Sequence, residues 1–395
     1  MRVYVEPTGR RIQPFDDPVG DTPVCNRPLR AWQAEAFSSA GLQRVDRLEP
    51  PCLVVPDTLL ASGDALRDFV TRAGGRDAVL VLKHSRFGEF TTPVQPRVTE
   101  TADGWRFESV RFHAGAGAGA SAPPMDVVVD PAEKIFQVAV PKQYAGTDKV
   151  ALAIPRRPVL ELHHWVHILW ANQLMGGVEL LNTPKWKLGL QVATALVRAR
   201  SMNRWKVLGK LNRIGRGCDI HPTALVEGCI LGNNVKVGPY ARLLFSHFDD
   251  GAHVMAGAYV EMCVLGPEAL VTEQTVLRLS VLYPEAVASQ YLMQQCVFGR
   301  EATTTAGAGT FDMNFERDIR VKLDGKLYST GTRYLGAAFG HRCRVGAGFW
   351  LAAGRAVPND YLLVRDPNQI VSDLPENLTD AGPLNASARK LRPIK

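Results

Sequence analysis

No stretch of this 395-residue chain reaches the roughly 18 consecutive apolar residues that a membrane-crossing helix needs. The seven cysteines are odd in number and none stands in a CxxC pair, which argues against a disulfide framework or a structural zinc site. The opening segment MRVYVEPTGRR has no apolar core of the kind a signal peptide carries. A reducing cytoplasm is therefore the expected compartment. Acidic residues are missing altogether from 185–216, where nine Lys or Arg fall, more than the formal excess of +7. The rest of the chain is near neutral, so global basicity is no sign of a nucleic-acid partner. What is present describes a folded protein of two or three domains: 46% hydrophobic residues, 22% charged residues and 35 glycines.

The strongest pattern runs from Ile214 to about Val357. An aliphatic or aromatic residue recurs there in steps of 6, 6 and 5, so the register returns after 17. The series opens Ile214, Ile220, Val226, then Leu231, Val237, Leu243, then Phe248, Val254, Val260. Each return is followed by a similar corner: LGNNV from Leu231, LGPEA from Leu265, LYPEA from Leu282, FGREA from Phe298. A fixed period of this kind marks a solenoid, in which each coil buries its apolar residues only by stacking on the next. The spacing fits a triangular parallel β-helix and does not fit a heptad or a 3.6-residue helix. Cys218, Cys229, Cys263, Cys296 and Cys343 fall inside the repeats, where a small thiol packs well.

The segment before the repeats reads as a small α/β domain. A helical pattern over 30–40 closes at Gly41, and Cys52 to Val55 and Val79 to Leu82 read as buried parallel strands. The run HAGAGAGASAPP from His113 has the composition of a flexible linker. In LHHWVHILW, His163 and His167 stand four apart on one helical face; no HExxH glutamate or third ligand accompanies them, so buried histidines are the expectation rather than zinc. The basic stretch 185–213 contains Trp186 and Trp205. Its two readings are a connector packed against a domain and an amphipathic contact with a membrane surface. The expected division is 1–154 for the α/β domain, 155–213 for a helical basic connector, 214–370 for the β-helix and 371–395 for a tail.

Several motifs resemble the bifunctional N-acetylglucosamine-1-phosphate uridyltransferase and glucosamine-1-phosphate acetyltransferase family. GRRIQPF (9–15) resembles the end of the family's phosphate-cradling loop, and LVVPD (53–57) its strand ending in a metal-binding Asp. KVGPYARL (236–243), AGAGT (306–310) and GKLYSTGTR (325–333) resemble segments of the acetyltransferase half. The resemblance covers most of 1–113 and 214–370. It implies a truncated nucleotidyltransferase-like α/β domain followed by a left-handed parallel β-helix, assembled as a homotrimer. Arg11 and Asp57 would meet a sugar nucleotide, with Mg only if that domain is active. Arg242 and Arg333 would meet a sugar phosphate. Acyl-CoA, acetyl-CoA in most relatives, would lie along Gly307, Gly309, Ala347 and Gly348.

The chain also departs from the family pattern. The loop lacks its leading glycines, and Val19 stands where the family has a catalytic Lys. Leu244 replaces a phosphate-facing Arg, and Met262 and Cys263 stand where a Lys is expected. A general base is needed because a protonated amine has no lone pair with which to attack a thioester. His247 and His341 are the candidates, and His253 reads as structural. Two functions follow: an acyltransferase acting on a sugar or sugar nucleotide in envelope or polysaccharide synthesis, with acyl-CoA or acyl carrier protein as donor, or a catalytically inactive binding or scaffold relative.

Overall fold

A computed structural model describes residues 1–115, 123–139, 142 and 148–365. Most of the glycine-rich run after Ala114 and the whole 371–395 tail lie outside these residues.

The N-terminal unit is a mixed sheet with helices packed against it. Its path runs Met125–Val129, Ala78–Lys83, Gly104–His113, Cys52–Pro56, Arg2–Glu6, Gln43–Val45, with Val98–Glu100 added at Gly104–His113. Both apolar runs expected as strands are buried in the sheet's interior. Each pairs in parallel with one neighbour, Arg2–Glu6 or Met125–Val129. Between them lies the antiparallel strand Gly104–His113, which buries Phe107, Val110 and Phe112 and shifts register at a bulge between Phe107 and Arg111. Helix Leu29–Ala40 ends at Gly41 as expected, and Ser62 caps helix Gly63–Ala73 with its side chain.

The connector holds two long, dissimilar helices and a short third one, Arg204–Leu208. Trp165–Asn182 buries Trp165, Ile168, Leu169, Trp170 and Leu174 in the same core as the sheet. Lys185–Ala199 buries only Ala195. His163 precedes the first helix and His164 is its N-cap residue, so the two histidines spaced at four do not share a helical face. His167 Nδ1 accepts the backbone N–H groups of His163 and His164, and its Nε2 faces the Pro93 carbonyl at 2.9 Å. Burial drives His167 well below its ordinary value and brings His164 down to about 3. These imidazoles are neutral capping groups.

From Arg213 the chain winds into three stacked parallel sheets of 8, 8 and 5 strands, a β-helix. Ile214, Leu231, Phe248, Leu265, Leu282, Phe298, Phe339 and Val357 stack on one face. Val237, Val254 and Val271 stack on the second, and Leu243, Val260, Leu277 and Met293 on the third. Nearly all are fully buried in one continuous core. Small polar residues also align: Ser246 Oγ accepts from Cys263 N, Cys263 Sγ from Ser280 N, and Ser280 Oγ from Cys296 N. Burial raises the thiols of Cys263 and Cys296 to about 12 and about 11, so both stay protonated.

The GKLYSTGTR segment supplies the second strand of a hairpin that leaves the solenoid, Arg320–Leu323 with Lys326–Ser329. Ile319, Val321 and Leu323 from this excursion join the N-terminal core, with Val281, Tyr283 and Val297 from the outer surface of the first β-helix face. The two halves are thus packed through a shared apolar core.

Candidate active site

The loop resembling a phosphate cradle performs a different task here. Arg10 donates two hydrogen bonds of 2.8 Å to the Asp324 carboxylate on the excursion hairpin. Asp17 accepts from Arg300 at 3.0 and 2.6 Å, and its Oδ2 lies 3.0 Å from His341 Nε2. Asn359 donates to the Phe15 carbonyl, and Phe15 stacks on Tyr283 at 5.1 Å. Residues 10–17 therefore dock the first domain on the β-helix.

The nucleotide expectations meet occupied groups. Arg11 is exposed and its Nε reaches Asp16 at 3.3 Å. Asp57 lies at the end of its strand, where Thr8 binds one carboxylate oxygen through Oγ1 and the other through its N–H. Both Asp57 oxygens thus already accept from Thr8, which holds the carboxylate against its own loop. Among the described residues no group of three or more His, Cys, Asp or Glu could hold a metal ion. Titration of the protein with Mg and UTP is accordingly expected to give no saturable heat, and micromolar binding abolished by Asp57→Asn would overturn that reading.

His341 is buried at 2% exposure. Its Nδ1 accepts the Arg300 N–H at 2.8 Å, so its Nε2 carries the proton and donates it to Asp17. Both ring nitrogens are committed, which leaves no free lone pair for a base. The glycines proposed as a donor track also have local reasons. A Cβ at Gly309 would stand 2.8 Å from the Trp350 ring, and one at Gly348 would stand 2.4 Å from the Arg365 guanidinium. Gly307 stands beside Gly348, its backbone carbonyl accepting the Gly348 N–H at 3.1 Å, and Ala347 belongs to the same turn. Arg333 is exposed and donates to the Phe315 carbonyl at 3.4 Å. Arg242 lies on the third face with its guanidinium 5.3 Å from the Tyr259 ring. These residues do not converge on one site.

His247 is placed differently. It lies on the outer surface of the first face, between Ile230 and Val264, two rungs from the start of the solenoid. About four rungs, or roughly 20 Å along the axis, separate it from the level of His341. The imidazole faces a cleft of about 710 Å³ formed by the β-helix, helix Trp165–Asn182 and the turn at Cys25 to Arg27. Leu152, Ile154, Leu180, Ile230, Phe245 and Met262 supply apolar walls. The polar lining consists of Asn26, Arg27, Asn172, Gln173, Glu179, Arg213, Ser246, His247 and Asp249.

Hydrogen bonds hold the cleft's frame rigid. Asn26 donates to the Leu265 carbonyl at 2.8 Å, Gln173 donates to the Leu279 carbonyl at 2.9 Å, and the Asn172 amide oxygen accepts the Cys25 N–H at 2.7 Å. Among the described residues the His247 side chain has neither a hydrogen bond nor an ion pair. Burial lowers its pKa; Asp249 acts to raise it and Arg213 adds to the lowering. Glu179, at the cleft mouth, is shifted upward by burial against the pull of Arg27 and Arg213. A neutral imidazole in a largely apolar cleft is available to accept a proton.

The pattern of the chain pointed to His247, but not to Glu179, Arg27, Phe245 or Ile154 beside it. These come from four separate segments, and no spacing rule links them. A scan against protein-family models finds none that matches the chain, and a search of curated proteins finds no match.

Proposed function

We propose that the chain is an acyltransferase of the hexapeptide-repeat class, with a left-handed β-helix and a truncated nucleotidyltransferase-like domain. It would transfer an acyl group from acyl-CoA or acyl carrier protein to a sugar or sugar nucleotide, in envelope or polysaccharide synthesis, and would assemble as a homotrimer. The observation that carries this reading is the unpartnered His247 imidazole facing the 710 Å³ cleft. Its aliphatic walls suit an acyl chain, and Arg213, which has no side-chain hydrogen bond or ion pair among the described residues, suits a polyhydroxylated or phosphorylated acceptor.

In this reaction the acceptor oxygen or nitrogen bonds to the thioester carbon, His247 takes the proton it loses, the C–S bond breaks, and the thiolate leaving group recovers a proton. The site thus shifts from the late coils to the first three. Acetyl-CoA and longer acyl-CoAs, incubated with a panel of hexosamine phosphates and sugar nucleotides, are the direct assay. Free thiol release that depends on both substrates and is lost in His247→Gln is the expected result. Its absence across the panel would favour the second reading, a binding or scaffold relative. One observation favours that alternative: Arg10, Asp17 and Asp57, in the loop and strand resembling a nucleotide site, are all committed to internal contacts.

A further inference from the structure

Helix Lys185–Ala199 carries two apolar faces, and only one of them meets protein. At 100° per residue, Ala195, Leu196 and Ala199 fall on one side, where Ala195 is 1% exposed. Trp186, Leu190 and Val197 fall on the opposite side, and they are 67%, 60% and 76% exposed. A helix serving only as a connector would carry polar residues on that outer side. Beyond its C-terminus Met202 is 91% exposed.

The charge around this stripe is of one sign. Lys185, Lys187, Arg198 and Arg200 are the charges of the helix and its C-cap, and no acidic residue occurs anywhere in 185–216. None of these four forms an ion pair among the described residues. Lys187 Nζ lies 5.5 Å from the Trp186 ring, so a cation and an interfacial aromatic project together. No helix of the described residues is long and apolar enough to cross a membrane. An outward apolar stripe with Trp, on a helix whose only charges are cations, has the chemistry to lie in the headgroup layer of an anionic bilayer.

We propose that helix Lys185–Ala199 docks the protein on an anionic membrane surface, with Trp186, Leu190 and Val197 inserted below the headgroups. This is independent of the acyl-transfer reading. The test is flotation of the full chain with vesicles of phosphatidylcholine and phosphatidylglycerol, compared with vesicles of phosphatidylcholine alone. The wild-type chain should float with the anionic vesicles and lose most of that association without phosphatidylglycerol. Trp186→Ser/Leu190→Ser/Val197→Ser removes exposed side chains only, and Lys187→Glu/Arg198→Glu reverses charge without touching the stripe. Each should weaken anionic-vesicle binding by about tenfold or more. A wild-type chain that stays unbound at low salt would overturn the proposal, as would variants that bind equally well. Loss of self-association in the stripe variant, with vesicle binding unchanged, would assign the stripe to a second copy of the chain and overturn it equally.

Discussion

Replacing His247 with Gln is expected to lower the acyl-transfer rate by about 10²-fold or more while leaving the fold intact. The two halves of that expectation have separate causes. His247 sits on the outer surface of its strand, while Phe248 beside it fills the solenoid core. With no side-chain partner among the described residues, the imidazole leaves nothing unsatisfied when it is replaced, so the unfolding midpoint should hardly move. Loss of rate with an unchanged midpoint would mark a reacting group. The pH profile adds a sign. Because burial holds the His247 pKa below its ordinary 6.5, the basic form persists into mildly acidic solution. The rate limb assigned to this group should therefore fall below pH 6.5, and His247→Gln should lack that limb. A limb centred above 6.5 would contradict the placement.

The second large effect concerns the joint between the halves. Asp17→Ala should destabilise the protein by about 2–3 kcal/mol at neutral pH, because it strips partners from the buried His341 and from Arg300 together. The Asp17 carboxyl is held down at about 2. Burial acts to raise it, and the hydrogen bonds from His341 and Arg300 outweigh that. A depressed folded value means stability that is present above the ordinary 3.8 and lost as pH falls toward 2. After allowance for partial solvent exposure, this linkage contributes roughly 1–2 kcal/mol. Denaturant unfolding of wild type and Asp17→Asn should accordingly differ most at neutral pH and converge on acidification. A difference that grew with acid would show that Asp17 is not paired as described. Adding Arg300→Ala to Asp17→Ala should cost less than the sum of the single changes, since the two groups share one interaction.

Much of the β-helix was legible in the sequence because its constraint is local and periodic. Each inward residue from Ile214 to Leu282 repeats at a fixed interval, and the stacked pairs are those the interval names. The irregular return from Leu282 to Phe298 is one residue short, yet the same face accepts it because the aromatic side chain fills the core. The role of residues 10–17 was not legible. Asp17 meets Arg300 and His341 across more than 280 positions, and neither partner carries a mark that names the other. A motif resembling a phosphate loop pointed outward to a ligand, whereas its charges are spent on docking. His341 shows the same limit: it reads as a candidate base until Asp17 of the other domain is seen to take its Nε2. His247 was found as a residue, but its cleft was not, since three elements from distant segments build it.

The most direct test of the account is calorimetric titration of acyl-CoAs of increasing chain length into the wild-type chain and into Gly176→Leu. Gly176 lines the cleft from helix Trp165–Asn182, and a Cβ there would meet nothing within 4 Å, so a larger residue is added at the cleft wall without a clash at its Cβ. Micromolar binding to the wild type that strengthens with chain length and is clearly weakened in Gly176→Leu is the expected result. Binding of equal strength to both, or no binding by a well-folded wild-type chain, would contradict the assignment of the His247 cleft to acyl transfer.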